Sequence, residues 1–181
     1  MKKLSRSACN SLLILATLLS AASAEAACHV TSHGGRIDYG ELNRHLIPGS
    51  AEKLSLTARE VQIGIDCDAP QIISVRFTSA QGAEAAFAFG QQGEMQLRLH
   101  DARLDSRAAS FNFLPSGGSP ESAQPLSEVF AEPESRIVMR EPGQHLRFTL
   151  SLLPRFAPGF SSVRDRTSLL TQIRLEVSEG T

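Results

Sequence analysis

A chain of 181 residues with 18 Lys and Arg against 19 Asp and Glu has no cationic excess, so it offers neither the electrostatic footprint of a nucleic-acid binder nor a basic face for a membrane. An apolar content of 41% with only 6% aromatics and no Trp suits one domain with a lean core. Only three cysteines occur, which rules out a densely cross-linked scaffold.

The chain begins with Lys2, Lys3 and Arg6, continues with the apolar run Leu12–Leu19, and then reaches the small-residue site Ala22-Ser23-Ala24. Those three parts form a secretory signal peptide over residues 1–24, which leaves residues 25–181 as a single domain. The apolar run is shorter than the roughly 20 residues a membrane span requires. No later segment is apolar and long enough, so the expectation is export through the inner membrane without stable membrane insertion. Ala26-Ala27-Cys28 superficially resembles a lipoprotein signal, but the charged Glu25 occupies the position where an apolar residue is needed.

Cleavage would remove Cys9 and the three leading cations, leaving 15 basic against 19 acidic residues. Two cysteines would then remain in an oxidising compartment, which pairs Cys28 with Cys67. Closing that loop of about 40 residues stabilises a fold by roughly 3–4 kcal/mol.

Beyond Cys28, His29 and His33 stand four apart. They flank Val30-Thr31-Ser32 beside Gly34-Gly35, where extended or turning backbone denies them the shared helix face that metal binding would use. Period-two alternation then dominates. Val61, Ile63, Ile65 and Cys67 share one face, and Ile73, Val75 and Phe77 follow after an Ala69-Pro70 turn. Phe87 and Phe89 come next, then Met95, Leu97 and Leu99 after Gly93. Ile137 and Met139 precede Leu146, Phe148, Leu150 and Leu152, and the chain closes on Ile173, Leu175 and Val177. Turn signals such as Pro48-Gly49-Ser50 and Glu141-Pro142-Gly143 separate these runs. Short, regularly spaced strands without helical periodicity predict an all-β sandwich.

Two stretches break the pattern. Ser116–Glu134, rich in Ser, Pro, Gly and Glu, reads as a long surface loop with one helical turn near Leu126–Phe130. Pro154–Arg166 reads as a second irregular connection, with Phe156 and Phe160 tucked beneath it as satellite core.

Catalytic signals are absent. There is no Gly-x-Ser-x-Gly elbow, and pairing of the cysteines leaves no free thiol nucleophile. Asp66 and Asp68 around Cys67 read as polar residues at a strand end, too few for calcium. The alternating charges Asp101, Arg103, Asp105 and Arg107 read as a solvated face. No catalytic residue, metal site or cofactor is expected, and the chain is not read as an enzyme.

Three groups of residues carry a resemblance: Cys28; Gly34-Gly35-Arg36-Ile37-Asp38-Tyr39-Gly40-Glu41-Leu42; and Val61-Gln62-Ile63-Gly64-Ile65-Asp66-Cys67-Asp68-Ala69-Pro70. Phe87-Ala88-Phe89-Gly90 and Gly93-Glu94-Met95 extend it more weakly. In these segments the chain resembles subunits of chaperone–usher fimbriae, in the fimbrial-like branch with a Gly-Gly-x-Ile-Asp-Tyr-Gly segment. The resemblance implies an incomplete immunoglobulin-like sandwich lacking its last strand. It also implies an acceptor groove walled by Ile173, Leu175 and Val177 on one side and by a strand around Ile37 and Tyr39 on the other. The implied partners are a periplasmic pilus chaperone, an outer-membrane usher and another fimbrial subunit. The implied route runs through the periplasm to a cell-surface fimbria of a Gram-negative cell.

Strand addition of this kind joins backbone to backbone and sends alternate side chains into pockets. Between the expected cleavage site and Cys28 stand only Glu25, Ala26 and Ala27, whereas a donor arm needs on the order of ten residues. The expected place is therefore terminal, at a tip or cap. The competing expectation is a self-complete secreted or periplasmic β-sandwich that binds a ligand through its loops.

Overall fold

The computed structural model describes residues 27–33, 36–39, 56–79, 86–90, 93–118, 124–156 and 171–180. The expected signal peptide, Glu25, Ala26, Gly34, Gly35, Gly40–Leu42 and Phe160 lie outside them.

Alternation drives the main strands. Each places apolar side chains on one face and polar ones on the other, so two such faces must meet to leave water. In chain order these are β1 (Cys28–His33), β2 (Arg59–Gln71), β3 (Ile73–Ser79), β4 (Phe87–Phe89), β5 (Gly93–Leu104) and β6 (Arg107–Ala108). They are followed by β7 (Phe111–Leu114), β8 (Pro125–Leu126), β9 (Val129–Ala131), β10 (Arg136–Met139), β11 (Gly143–Phe156) and β12 (Ile173–Glu179).

They form two antiparallel sheets packed as an immunoglobulin-like β-sandwich. The first runs β1-β2-β11-β5, with β4, β6 and β9 all pairing with β5. The second runs β12-β3-β10-β7-β8. Ile65 of β2, Leu99 of β5 and Leu146 of β11 meet Val75 and Phe77 of β3, Ile137 of β10 and Phe111 of β7 in a fully buried core.

A bulge in β5 explains a change of parity along that strand. Thr149 pairs with His100 and Arg147 with Arg103, so Phe148 faces two residues, Asp101 and Ala102. Asp101 takes a positive φ of 54° to accommodate the extra residue. Met95, Leu97 and Leu99 point inward before the bulge, and Ala102 and Leu104 do so after it. Asp101 at the bulge and Arg103 between the inward Ala102 and Leu104 consequently face solvent, and Asp105 and Arg107 beyond the end of β5 are exposed too, as their sequence pattern suggested.

Three expectations need correction. Pro125–Leu126 and Val129–Ala131 are strands, not a helical turn: the first pairs with β7 and the second with β5. Their apolar residues are too few to reveal a period, and only the partner strands reveal their role. Pro154 and Phe156 continue β11 instead of entering a loop, pairing with Met95 and Gly93, and Phe156 is buried. Ala69 and Pro70 do not turn; they extend β2 to Gln71, and the chain reverses at Ile72.

Candidate functional site

Cys28 and Cys67 are joined by a disulfide between directly opposed residues of β1 and β2, with a Cα–Cα distance of 4.0 Å. So close an approach is characteristic of a non-hydrogen-bonded antiparallel pair. The adjacent rung agrees, since the Asp68 N–H donates to the Ala27 carbonyl at 3.0 Å. The bond therefore staples an edge strand whose other residues, Val30 among them, are exposed.

On the second sheet the corresponding edge is β12. Leu175 stands opposite Phe77. The Phe77 N–H donates to the Ser135 carbonyl at 3.0 Å, and the Phe77 carbonyl accepts from the Glu134 N–H at 2.7 Å. Both polar groups of Phe77 thus turn away from β12, which makes Leu175–Phe77 a non-hydrogen-bonded pair. By the alternation of an antiparallel ladder, the N–H and C=O of Leu175, and equally of Ile173 and Val177, point to the far edge. The Gly180 N–H donating to the Ile72 carbonyl at 2.7 Å fixes the same parity from the other end. Among the described residues no strand pairs with that far edge. The same alternation turns the backbone groups of Val30 and Ser32 outward from β1.

Between these two edges lies a cavity of about 340 Å³. One rim is Val30 and Ser32 of β1 with Ile37 and Tyr39, and the other is Thr171, Ile173 and Leu175. Its floor is core: Val61 and Ile63 of β2, Leu150 and Leu152 of β11, Met95 and Leu97 of β5, and Phe89 of β4. Four residues expected at the groove, Ile37, Tyr39, Ile173 and Leu175, line this one cavity. Val177 does not line it; it stands farther along β12, opposite Val75, half-buried against the core. Ile37 and Tyr39 belong to irregular backbone at 36–39 and not to a strand, which corrects the expected wall.

Tyr39 closes one end. Its hydroxyl donates to the Leu152 carbonyl at 2.9 Å, and its ring meets Phe89 edge-on at 6.0 Å between centroids. Phe89 in turn packs on Phe156 at 5.9 Å. Burial pushes the Tyr39 phenol above its ordinary range, opposed in part by the charge of Arg59.

Outside the cavity, two polar clusters emerge that the sequence pattern did not reveal, because their members come from separate strands. Asp66 accepts from Arg147 at 3.1 Å and sits 2.9 Å from the Nδ1 of His145. Gly64 makes this crossing possible: a Cβ there would collide with Arg147 and with the Thr31 hydroxyl. Next to it, Asp105 accepts from the backbone N–H groups of His145 (2.9 Å) and Gln144 (3.2 Å). Those two bonds, the His145 one foremost, hold its carboxyl below the usual carboxylate range.

In the second cluster, His100 lies 2.8 Å through Nδ1 from Asp101 Oδ2 and 2.9 Å through Nε2 from Ser151 Oγ. A hydroxyl, an imidazole and a carboxylate in line would suit acyl transfer if backbone donors converged beside the hydroxyl. Ser151, however, is buried mid-strand between Glu60 and Arg98, in register with both, where ladder pairing directs its backbone groups along the sheet. The three side chains pin the β5 bulge to β11. Among the described residues no group of three or more His, Cys, Asp or Glu could hold a metal ion, and no helix is long and apolar enough to cross a membrane.

No protein-family model, curated protein or solved structure matches this chain. The chemistry of the open edge is therefore the firmest guide to function.

Proposed function

We propose that this chain is a structural subunit of a surface fimbria, completed by a β-strand from another protein. The single observation that supports this reading is the coincidence, along β12, of an apolar cavity with backbone groups that no described strand pairs. The outward N–H and C=O groups of Ile173, Leu175 and Val177 are a template for a further strand. Alternate side chains of such a strand would enter the cavity over Ile63, Met95 and Leu150. In transit the strand comes from a periplasmic pilus chaperone, and at the outer-membrane usher another fimbrial subunit replaces it. The position is terminal, at a tip or cap. Ala27 is already bonded to Asp68, which leaves Glu25 and Ala26 to follow the expected cleavage site, and two residues cannot span a neighbour's groove.

The test uses the chain's own reporter. Tyr39 is the only tyrosine and there is no Trp, so intrinsic fluorescence reads the end of the cavity alone. Peptides of about ten residues copying the arms of fimbrial subunits from the same cell should change that emission saturably and slow amide exchange at Ile173, Leu175 and Val177. Leu175→Asp should abolish both effects. If no arm from its own system alters either signal, the acceptor reading falls.

A further inference from the structure

Arg174 and Glu176 are the exposed residues that flank Leu175 on β12, and their arrangement is symmetric about it. We infer that, when no donor strand is present, β12 pairs antiparallel with β12 of a second copy of this chain, centred on Leu175.

The register follows from backbone parity. A regular antiparallel ladder places edge-facing residues opposite edge-facing residues, and here those are Ile173, Leu175 and Val177. Near the middle of the paired stretch Ile173–Val177, a two-fold pairing of β12 with itself can then be centred on Arg174, Leu175 or Glu176. Centring on Arg174 sets Arg against Arg, and centring on Glu176 sets Glu against Glu. Centring on Leu175 sets each Arg174 opposite Glu176 of the other copy, twice over. Leu175 then meets its own copy, Ile173 meets Val177, and each edge-facing pair exchanges two N–H···O bonds.

The charged residues fall at the non-hydrogen-bonded positions, where Cα atoms approach to about 4.5 Å and cross-strand side chains interact most closely. Like charges directly opposite are unfavourable, so the electrostatics reject both neighbouring registers and favour the one centred on Leu175, which alone pairs Arg174 with Glu176. The second copy's Ile173, Leu175 and Val177 lie on the cavity side of the joined sheet, toward Val30, which is 43% exposed. Pairing thus covers apolar surface as well as backbone. It occupies the edge that a donor strand would use, so the two events exclude one another. The inference rests on that open edge and not on who supplies the donor strand.

Charge exchange tests it by sedimentation of the exported chain with its disulfide intact. The wild-type chain should form a reversible dimer. R174E places four like charges around the two-fold axis, and so does E176R; each should raise the dimer dissociation constant at least about tenfold. An equimolar mixture of the two variants restores both Arg–Glu pairs and should sediment as a heterodimer of near wild-type affinity. Arg174 stands opposite Thr78 within its own sheet, so R174E removes no internal cation pairing there. Equal thermal unfolding of R174E and wild type will show that the monomer is intact. A wild-type chain that stays monomeric, a dimer indifferent to both substitutions, or a mixture that fails to associate overturns the inference. Peptide binding without dimerisation would sink self-pairing and spare the acceptor reading; dimerisation without any peptide binding would do the reverse.

Discussion

The two flanks of this sandwich are built from the same kind of alternating strand and end in opposite conditions. At the β5–β7 flank the chain itself seals the edge. β8 pairs with β7 in one sheet, and two residues later β9 pairs with β5 in the other, so a single segment caps both sheets. β4 and β6 pair with further stretches of that edge of β5, at Gly93–Met95 and Arg103–Leu104. At the β1–β12 flank the two edge strands come from opposite ends of the chain, and no described segment joins one sheet to the other. Inward residues are accordingly buried on the first flank, Phe111, Leu97 and Ala131 among them, but only half-buried on the second, as with Ile173, Leu175 and Val177. Among the described residues, the sealed flank is the one where a connection crosses between the sheets.

The largest effect should separate the flanks by core truncation. Phe111→Ala empties a fully enclosed site and should cost about 3–5 kcal/mol in urea unfolding, whereas Ile173→Ala trims a half-exposed rim and should cost about 1 kcal/mol. Equal losses would break the comparison. Reduction of Cys28–Cys67 comes next, with an expected loss of roughly 3–4 kcal/mol for a loop spanning 39 residues. Hydrogen exchange should then accelerate in β1 before β8 or β9 if the staple serves the open flank.

Tyr39→Phe removes the bond to the Leu152 carbonyl at the end of the cavity and should cost about 0.5–1.5 kcal/mol. Because burial raises the Tyr39 phenol, its stabilising contribution is complete below the ordinary phenol range and is lost as pH rises through the raised value. Tyrosinate absorbance, which only this residue supplies, should therefore appear later on alkaline titration of the folded chain than of the unfolded one.

The smallest effect lies at exposed Asp105. Its carboxyl is held low by the His145 and Gln144 amides, so its contribution is full above the ordinary carboxylate range and disappears as pH falls through the depressed value. Asp105→Asn should flatten that part of the acid-unfolding curve and leave the β12 edge untouched.

Much of the scaffold was legible because alternation is a local signal. The long runs at Val61–Cys67, Ile73–Phe77, Met95–Leu99 and Leu146–Leu152 all became strands with the expected faces inward. The short capping strands β6, β7, β8 and β9 were not, since two to four residues carry no period and Pro125 argues against a strand unless it stands at an edge. At the candidate site, Ile37, Tyr39, Ile173 and Leu175 came from resemblance and the cavity unites them, while its floor of Met95, Leu97 and Phe89 read only as core. The His100–Ser151 and Asp66–Arg147 contacts join residues 51 and 81 apart, beyond the reach of any local pattern.

The amino-acid order by itself determined the strand faces and the charge alternation of Arg174 and Glu176, because each depends on neighbours one or two residues away, and it paired Cys28 with Cys67 because the expected cleavage leaves two cysteines. Tertiary structure alone decided that no described strand pairs with the far edge of β12 and which way the backbone groups of that edge point. Those facts depend on where β3 sends the hydrogen bonds of Phe77 and on a crossing between sheets at Leu126–Val129, and both arise from partners distant in the chain.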